Sequence, residues 1–238
     1  MGSEMCIRDR SIYRTPNLRG LKEYYKGLYF PQSLPAILVS YILDPKPNDI
    51  IVDVCAAPGG KTTAIAELME NKGLVIAIDR SKNRLKELAF HKRRLGLKNI
   101  RIIAANILDY QYKVNYGFAD KVLVDPPCSN LGLRPKLFDF RKTRQLDGYS
   151  QYQKMILKAA YKLLRKGGIL VYSTCTITKE ENENVVQWAM ENLNLEPIKI
   201  DKRFFIGSKS LINNNAFMRF EPHINDTPGF FIAKLRKV

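Results

Sequence analysis

The sequence lacks several features that would each assign a protein to a particular class. No apolar run approaches the length of a membrane span, no two of the four cysteines have CxxC spacing, no apolar secretion signal is recognisable, and there is no internal repeat or low-complexity tract. These absences argue against a membrane protein, a disulfide framework, a zinc site and a repeat protein. We therefore expect a cytoplasmic protein with reduced thiols and no metal ion.

The balance of charge is strongly positive. The 238 residues include 39 Lys and Arg against 23 Asp and Glu, which gives a net charge of +16, and basic residues are densest at positions 14–26, 80–94 and 134–144. A positive field of this size favours a polyanionic partner, with nucleic acid as the first candidate. On composition alone, the alternative that these residues coat solvated helix faces has comparable weight. We find no helix that pairs a basic face with an exposed apolar face, so a membrane surface is disfavoured.

Short apolar runs alternate with amphipathic segments along most of the chain. Strands are predicted at residues 51–55, 74–79, 100–104, 121–125, 168–173, 197–200 and 229–235, and helices at 62–70, 82–95, 149–164 and 179–192. This alternation is typical of an α/β fold in which a mostly parallel sheet is covered by helices on both faces. Thr178 and Glu181 have the spacing of a capping box, which predicts the start of the last helix.

We divide the chain into three parts. Residues 1–10 show no periodicity, and we interpret them as a leader that comes from a vector, a sequencing error or an incorrect gene model. Residues 11–47 form an N-terminal helical extension whose apolar stretch, 31–43, predicts a helix packed under the sheet. Residues 48–238 form the α/β domain, and its irregular, basic and aromatic insertion at 129–148 is typical of a functional loop.

Two cysteines follow predicted strands directly. Cys128 lies in the segment DPPCS (125–129), and Cys175 lies in STCTI (173–177). Because ligands bind at the carboxyl edge of an open parallel sheet, we expect both thiols to line one cleft. The alternative for each is a small apolar residue that only fills space. Cys55, inside a predicted strand, and Cys6, in the leader, are interpreted as structural or irrelevant to chemistry.

The segment CAAPGGKTT (55–63) predicts a cofactor loop. Its glycine turn allows close approach of the backbone to a ligand, but it has neither the GxxxxGK[ST] spacing of a P-loop nor the GxGxxG of a dinucleotide site. Asp79 ends the next strand, 19 positions after Gly60, where a carboxylate can accept from both hydroxyls of a ribose. The pair suits an adenosine-containing cofactor. The alternative is a tight turn followed by an Asp79 that caps the next helix.

Asp125 is held at a strand end by two prolines, which fix the backbone. Such an acid can pair with the amidine-like edge of a base, and cytosine has such an edge. Carbon 5 of cytosine is too weak a nucleophile to accept a methyl group until a thiolate has added to carbon 6. Methylation at carbon 5 therefore requires a cysteine, whereas methylation at an exocyclic nitrogen does not.

Taken in order, CAAPGGKT, DPPCS and STCTI resemble the Sun-domain (RsmB-like) family of S-adenosylmethionine-dependent RNA cytosine-5 methyltransferases. The resemblance runs from about residue 28 to residue 238. It implies a Rossmann-like class I methyltransferase domain with a seven-stranded, mostly parallel sheet and an antiparallel last strand. It also implies S-adenosylmethionine as cofactor and RNA as substrate.

The resemblance assigns roles to individual residues. It makes Cys175 the nucleophile, Cys128 the thiol that assists product release, and Asp125 and Lys61 the groups at the target base. The residues it implies for the cofactor site are Cys55, Ala56, Ala57, Pro58, Gly59, Gly60, Lys61, Asp79, Arg84, Asn106 and Asp125. The family usually has an aspartate where this chain has Asn106, so we expect altered cofactor affinity, with Asp109 as a possible substitute.

Residues 12–39 resemble the archaeal and eukaryotic branch in which a PUA RNA-binding domain precedes the catalytic domain and tRNA is the substrate. We therefore favour tRNA, with rRNA as the alternative. We expect either that the chain is a fragment beginning after such a domain or that it recognises RNA by other means. The sequence does not indicate an oligomeric state.

Two rival functions remain. One is a methyltransferase acting on an amino group, because DPP at 125–127 is similar to the [DN]PP-aromatic motif of that group, although Cys128 replaces the aromatic residue. The other is a catalytically silent RNA-binding module. Retention of Cys175, Asp125 and the two glycines argues against it, since a silent domain has no use for all of them.

Overall fold

A computed structural model describes residues 18–133, 143–212 and 215–238 of the chain. The interpreted leader at residues 1–10 lies outside the described residues, as does most of the basic segment 134–144. Within the described part, none of the helices has the length and apolar character needed to cross a membrane.

Helices and strands alternate through most of the described residues. The helices are α1 (Lys22–Tyr25), α2 (Leu34–Leu43), α3 (Gly60–Leu68), α4 (Lys82–Arg94), α5 (Ile107–Tyr110), α6 (Thr143–Leu163), α7 (Glu183–Asn192) and α8 (Pro222–Asn225), with a 3₁₀ turn at Leu18–Gly20 before them. The strands are β1 (Ile50–Asp53), β2 (Leu74–Asp79), β3 (Ile100–Ala104), β4 (Ala119–Val124), β5 (Leu164–Thr174), β6 (Leu195–Pro197), β7 (Ser208–Lys209), β8 (Phe217–Phe220) and β9 (Phe230–Lys237).

All these strands belong to one mixed sheet. Its order is β3-β2-β1-β4-β5-β9-β8-β7, and β6 also pairs with β9. The five strands β1 to β5 are parallel, and β9 runs antiparallel to β5, as predicted for the last strand. The predicted count of seven is wrong, because the described residues contain nine strands. The two extra strands, β7 and β8, have two and four residues, which is too few to show a clear periodicity in the sequence.

Helices cover both faces of the sheet and enclose two apolar cores. Alternate residues of β4 point to opposite faces, so Val122 and Val124 pack with α6 and α7, whereas Leu123 packs with α2, α3 and α4. The predicted helix in the N-terminal extension is confirmed as α2, whose Val39 and Leu43 are fully buried in the second core. The division of the chain at residue 47 remains a prediction.

The predicted capping box is wrong. Helix α7 begins at Glu183, and its N-cap residue is Asn182, which lies beyond Thr178 and Glu181. Thr178 Oγ1 donates to Glu181 Oε1 at 2.9 Å, but the Glu181 carboxylate turns inward and also accepts from the backbone N–H of Ser129 at 2.9 Å. The Glu181 carboxylate is therefore bound by a buried donor from another loop and does not cap the helix.

Candidate active site

A cleft of about 510 Å³ opens at the carboxyl ends of the parallel strands. It is bounded by the loops after β1, β2, β3, β4 and β5, and by the first half of α6. Among its lining residues are Cys55, Ala57, Pro58, Asp79, Arg84, Asn106, Asp125, Cys128, Asn130 and Cys175. The sheet edge predicted to carry the site therefore brings most of the predicted residues together.

The two predicted thiols lie beside each other. The Sγ atoms of Cys128, after β4, and Cys175, after β5, are 3.2 Å apart, within hydrogen-bonding distance for sulfur. Cys128 is buried and Cys175 half-buried, and both are free thiols. Backbone bonds hold the loops together, since Gly132 N donates to Cys175 O at 3.1 Å. The arrangement gives two thiols access to one face of a bound molecule.

Asn130 contacts both thiols, and nothing in the sequence analysis assigned it a role. Cys175 Sγ donates to its Oδ1 at 2.8 Å, and Cys128 Sγ does so at 3.3 Å. Asn130 has a φ of 58°, the left-handed conformation that Asn tolerates better than most residues. The run of Asn, Leu and Gly after Ser129 is a turn signal that could have marked this position.

The thiols differ in how readily they ionise. A hydrogen bond from Cys128 lowers the pKa of Cys175, and the nearby Lys61 ammonium acts in the same direction against the opposing effects of burial and Asp125. The hydrogen bond to Cys175, together with burial, raises the pKa of Cys128 far above its usual range. Of the two thiols, Cys175 is therefore the one that loses its proton more readily.

Asp125 and Lys61 form an ion pair next to the thiols. Lys61 Nζ lies 2.7 Å from Asp125 Oδ2, and Ser173 Oγ donates to Asp125 Oδ1 at 2.9 Å. Burial is the largest influence on the pKa of Lys61 and lowers it, but the charge and hydrogen bond of Asp125, together with the charges of Asp53 and Cys175, raise it above its usual value, so the ammonium stays charged. Lys61 also lies 5.3 Å from the centre of the Phe230 ring on β9. The pair presents one acceptor and one donor at fixed positions.

A buried polar network holds the two cysteine loops in register. Ser129 and Thr176 share a hydrogen bond of 2.8 Å between their hydroxyls, each next to one of the reactive cysteines. Glu181 accepts from Ser129 N and from Gln153 Nε2, both at 2.9 Å, and Gln153 also donates to Pro127 O at 3.1 Å. Because the side chains of this network are buried, it resists displacement of one loop relative to the other.

Asp79 and Arg84 shape the other half of the cleft. The Asp79 carboxylate accepts from Ala57 N at 3.1 Å and from Ser81 N at 2.8 Å, and an Arg84 nitrogen lies 3.7 Å from it. Arg84 also donates to Ala57 O. The N-cap of α4 is Ser81, so Asp79 does not cap that helix. A carboxylate has about four lone-pair sites, so acceptor capacity remains for the two hydroxyls of a ribose.

The glycine turn lies behind the cleft wall. Ala57 and Pro58 line the cleft, whereas Ala56, Gly59, Gly60 and Lys61 are not among the described residues that do. Gly59 has a φ of 113°, and a Cβ there would lie 2.5 Å from the Leu88 side chain of α4. This glycine is therefore required by helix packing as well as by the turn. A direct contact of Gly59 or Gly60 with a cofactor remains a prediction.

Three further positions bear on the predicted cofactor site. Asn106 lines the cleft, but its Oδ1 accepts from Leu108 N at 3.1 Å as the N-cap of α5. Asp109 is exposed and is not among the described lining residues. Cys55 lies beyond the end of β1 and lines the cleft, rather than lying inside the strand as predicted. Burial raises its pKa well above the usual range, so its thiol is neutral.

Asp53 is a buried acid that sequence analysis did not single out. It is 1% exposed, and it accepts from Thr62 Oγ1 at 2.7 Å, which joins β1 to the first turn of α3. Burial raises the pKa of Asp53 to about 7, against the effect of the Thr62 hydrogen bond, and the charge of Asp125 adds to the increase. No group of three or more His, Cys, Asp or Glu suited to a metal ion occurs within the described residues.

Comparison with known proteins identifies the family. Residues 40–236 match the profile described as "16S rRNA methyltransferase RsmB/F". The chain belongs to this family. Its members that resemble the chain include the tRNA (cytosine(72)-C(5))-methyltransferase of Pyrococcus horikoshii, 46% identical over 95% of this chain. The "Probable ribosomal RNA small subunit methyltransferase B" of Bacillus subtilis is 35% identical over 92% of this chain.

The same RsmB/F relationship holds in three dimensions. A crystal structure described as "NSun6 from Pyrococcus horikoshii with SFG" has a TM-score of 0.89 and 45% identity, and the match covers 94% of this chain and 57% of that one. The class I methyltransferase fold is thereby confirmed. The chain spans only about half the length of several of these relatives, with 57% and 50% coverage of the Pyrococcus horikoshii and Bacillus subtilis proteins.

Proposed function

We propose that the chain transfers a methyl group from S-adenosylmethionine to carbon 5 of a cytosine in RNA, through a covalent adduct between Cys175 and carbon 6. The observation that carries this proposal is the pair of thiols 3.2 Å apart beside the Asp125–Lys61 ion pair. Methylation of an amino group needs neither thiol. A silent RNA-binding module would not need a thiol with a lowered pKa.

The cleft suits the cofactor. Its volume of about 510 Å³ lies within the range of small-molecule sites. We propose that the Asp79 carboxylate accepts hydrogen bonds from the ribose hydroxyls of the cofactor. Ala57, Arg84 and Asn106 line the rest of the cofactor site. SFG, named with the similar crystal structure, is an analogue of S-adenosylmethionine, which supports this assignment. When bound, the cofactor supplies an electrophilic methyl group.

The protein's residues act in a definite order. Asp125 accepts from the 4-amino group of cytosine, and Lys61 donates to ring nitrogen 3, which makes carbon 6 more electrophilic. The Cys175 thiolate then adds to carbon 6, and the electron pair displaced to carbon 5 takes the methyl group. Loss of the proton from carbon 5 and cleavage of the carbon–sulfur bond complete the reaction and return the Cys175 thiolate.

Cys128 is suited to the last step. Its pKa is raised chiefly by its hydrogen bond to Cys175, then by burial and by the charge of Cys175. The hydrogen bond and the charge are lost once Cys175 is bonded to carbon 6, so the pKa of Cys128 falls. We propose that Cys128 then releases its own proton to solvent, and that the resulting Cys128 thiolate takes the proton from carbon 5, either directly or through one water.

We favour tRNA as the substrate and the cytoplasm as the compartment. Similar proteins named for tRNA are 46% and 38% identical to this chain, in Pyrococcus horikoshii and Mus musculus, whereas the Bacillus subtilis protein named for rRNA is 35% identical. A reducing compartment keeps neighbouring thiols free. The second candidate substrate is rRNA, because the family is described by its rRNA members.

The decisive experiment is methylation of bulk tRNA and rRNA with labelled S-adenosylmethionine, followed by nucleoside analysis. We expect 5-methylcytosine from tRNA. Cys175→Ala should lose about 10⁴-fold or more in rate, as expected for removal of a nucleophile, while its affinity for S-adenosylmethionine stays unchanged. Label in N4-methylcytosine, or full activity in Cys175→Ala, would overturn the mechanism. Absence of transfer with normal RNA binding would favour the silent module.

A further inference from the structure

A second hollow lies beside the cleft. It has a volume of about 470 Å³ and is lined by Arg80, Pro127, Gln145, Gly148, Tyr149 and Tyr152. Arg80, Pro127, Tyr149 and Tyr152 also line the cleft, so the two spaces lie next to each other. The reaction proposed above assigns no part to this hollow.

The hollow is aromatic on one side and carries a positive charge. Tyr149 and Tyr152 are three residues apart on α6, so they lie on the same side of the helix. The guanidinium carbon of Arg80 lies 5.7 Å from the centre of the Tyr152 ring, and Arg80 Nη1 donates to the Tyr152 hydroxyl at 3.5 Å. Arg80 is the only charged residue among the described residues that line the hollow, so none of those residues has a carboxylate that would repel an anion.

The position of the hollow relates it to the reactive thiols. Pro127 immediately precedes Cys128 and is held in place by the hydrogen bond that its carbonyl accepts from Gln153. Asp79, Asn106 and Arg84 line the cleft but are not among the described residues that line the hollow. A molecule in the hollow therefore lies next to the proposed target-base site, outside the proposed cofactor site.

We propose that this hollow is a subsite that stacks one nucleobase of the RNA, adjacent in the strand to the target cytosine. The proposal rests on the proposed function. Aromatic rings and a guanidinium plane bind any base through its π-face, and the Arg80 charge suits the neighbouring phosphate. Because consecutive nucleotides are covalently linked, a cytosine at Cys175 brings its neighbour close to Pro127. Stacking there offsets part of the cost of taking the target base out of its own stack.

The test compares Tyr149→Ala with two controls. Tyr149→Phe keeps the ring. Tyr112→Ala removes a tyrosine that is 71% exposed and lies against Lys162. Lys162 is near the far end of α6, roughly 20 Å along the helix from Tyr149 at about 1.5 Å per residue. Dissociation constants for bulk tRNA and for S-adenosylmethionine are measured for each variant, together with methyl transfer. Circular dichroism checks folding, and Arg80→Gln, a change at an exposed residue, provides a second variant.

We expect Tyr149→Ala to weaken tRNA binding about 5- to 100-fold, as loss of one base–aromatic stack does. Arg80→Gln should weaken it as well, while Tyr149→Phe and Tyr112→Ala match the unmodified chain, and affinity for S-adenosylmethionine should not change. Unchanged tRNA affinity in Tyr149→Ala, with methyl transfer intact, would overturn the subsite alone. If Tyr149→Ala weakened binding of S-adenosylmethionine and not of tRNA, the hollow would belong to the cofactor site. If the unmodified chain bound no RNA, the proposed function and the subsite would both be wrong.

Discussion

The pKa of Cys175 is lowered and the pKa of its neighbour Cys128 is raised, and this difference gives a prediction for Cys128→Ala. Without the proposed base at residue 128, the carbon–sulfur bond at residue 175 should form but not break. We therefore expect Cys128→Ala protein to migrate with RNA on a denaturing gel, with turnover reduced about 100-fold or more, as for the loss of a general base. The double variant Cys128→Ala/Cys175→Ala should form no adduct. Normal turnover without an adduct would show that Cys128 only fills space.

Asn130 should help set the ionisation of Cys175. Asn130→Asp would place a carboxylate where Oδ1 now lies, 2.8 Å from Cys175 Sγ. A negative charge there disfavours the thiolate and raises the pKa of Cys175. Alkylation of Cys175 by iodoacetamide at pH 7.5 should slow about tenfold for each unit by which the pKa of Cys175 rises. The pH profile of the alkylation rate should move to higher pH. Asn130→Gly, which accepts the same φ, should shift the profile much less.

These residue-level findings also show what the sequence could reveal. Cys128, Cys175 and Asp125 were predictable because each directly follows an apolar strand, and parallel strands end at one edge. The sequence signals a turn at Asn130, but its contact with both thiols was not predictable, since that contact depends on one left-handed residue that turns the chain back. Glu181 was placed at a helix end by its spacing, whereas buried donors more than twenty residues away determine its position.

At the scale of secondary structure, a buried ion pair joins β8 to the start of α7. Arg219 Nη1 lies 2.7 Å from Glu183 Oε1, and the two side chains are 6% and 0% exposed. Arg219→Met would leave the Glu183 carboxylate buried without its partner, and we expect it to lower the free energy of unfolding by about 3–5 kcal/mol. Urea denaturation measures this change. At the exposed Asp201–Arg203 pair, Arg203→Met should change the free energy of unfolding far less, because solvent screens an exposed ion pair, so equal effects would contradict the argument.

The elements themselves were predicted unevenly. The bounds of β2 and β3 agree with prediction, because each is a short and mostly apolar run, although β3 contains Arg101. Helix α6 begins at Thr143, before the predicted start at residue 149, so its first turns lie in the segment 129–148 that was predicted to be an irregular insertion. The antiparallel end of the sheet was underestimated, because β6, β7 and β8 have four residues or fewer and depend on pairing with neighbours.

At the scale of the whole molecule, the net charge of +16 predicts a steep dependence of RNA affinity on salt. The logarithm of affinity should fall by about 0.7 per log unit of salt for each phosphate contacted on a single strand. Replacing the exposed Lys82, Lys86 and Arg93 of α4 with Gln should flatten this slope if that helix contacts RNA. S-adenosylmethionine affinity should not change. Filter binding between 50 and 200 mM salt measures the slope of RNA affinity against salt. A slope near zero would mean that the basic residues are solvated and do not contact RNA.

The position of β9 has a consequence for the order of assembly during translation. Strands β6 and β8 join the sheet only through β9, and Gly229, which precedes it, donates to Gly132 O at 2.7 Å, while Gly132 donates to Cys175 O. A ribosome releases the N-terminal elements first, so both cysteine loops emerge well before Gly229 and β9. A prematurely terminated product that ended before Gly229 would therefore carry both thiols but lack the Gly229–Gly132 hydrogen bond, one of the contacts that support their loops.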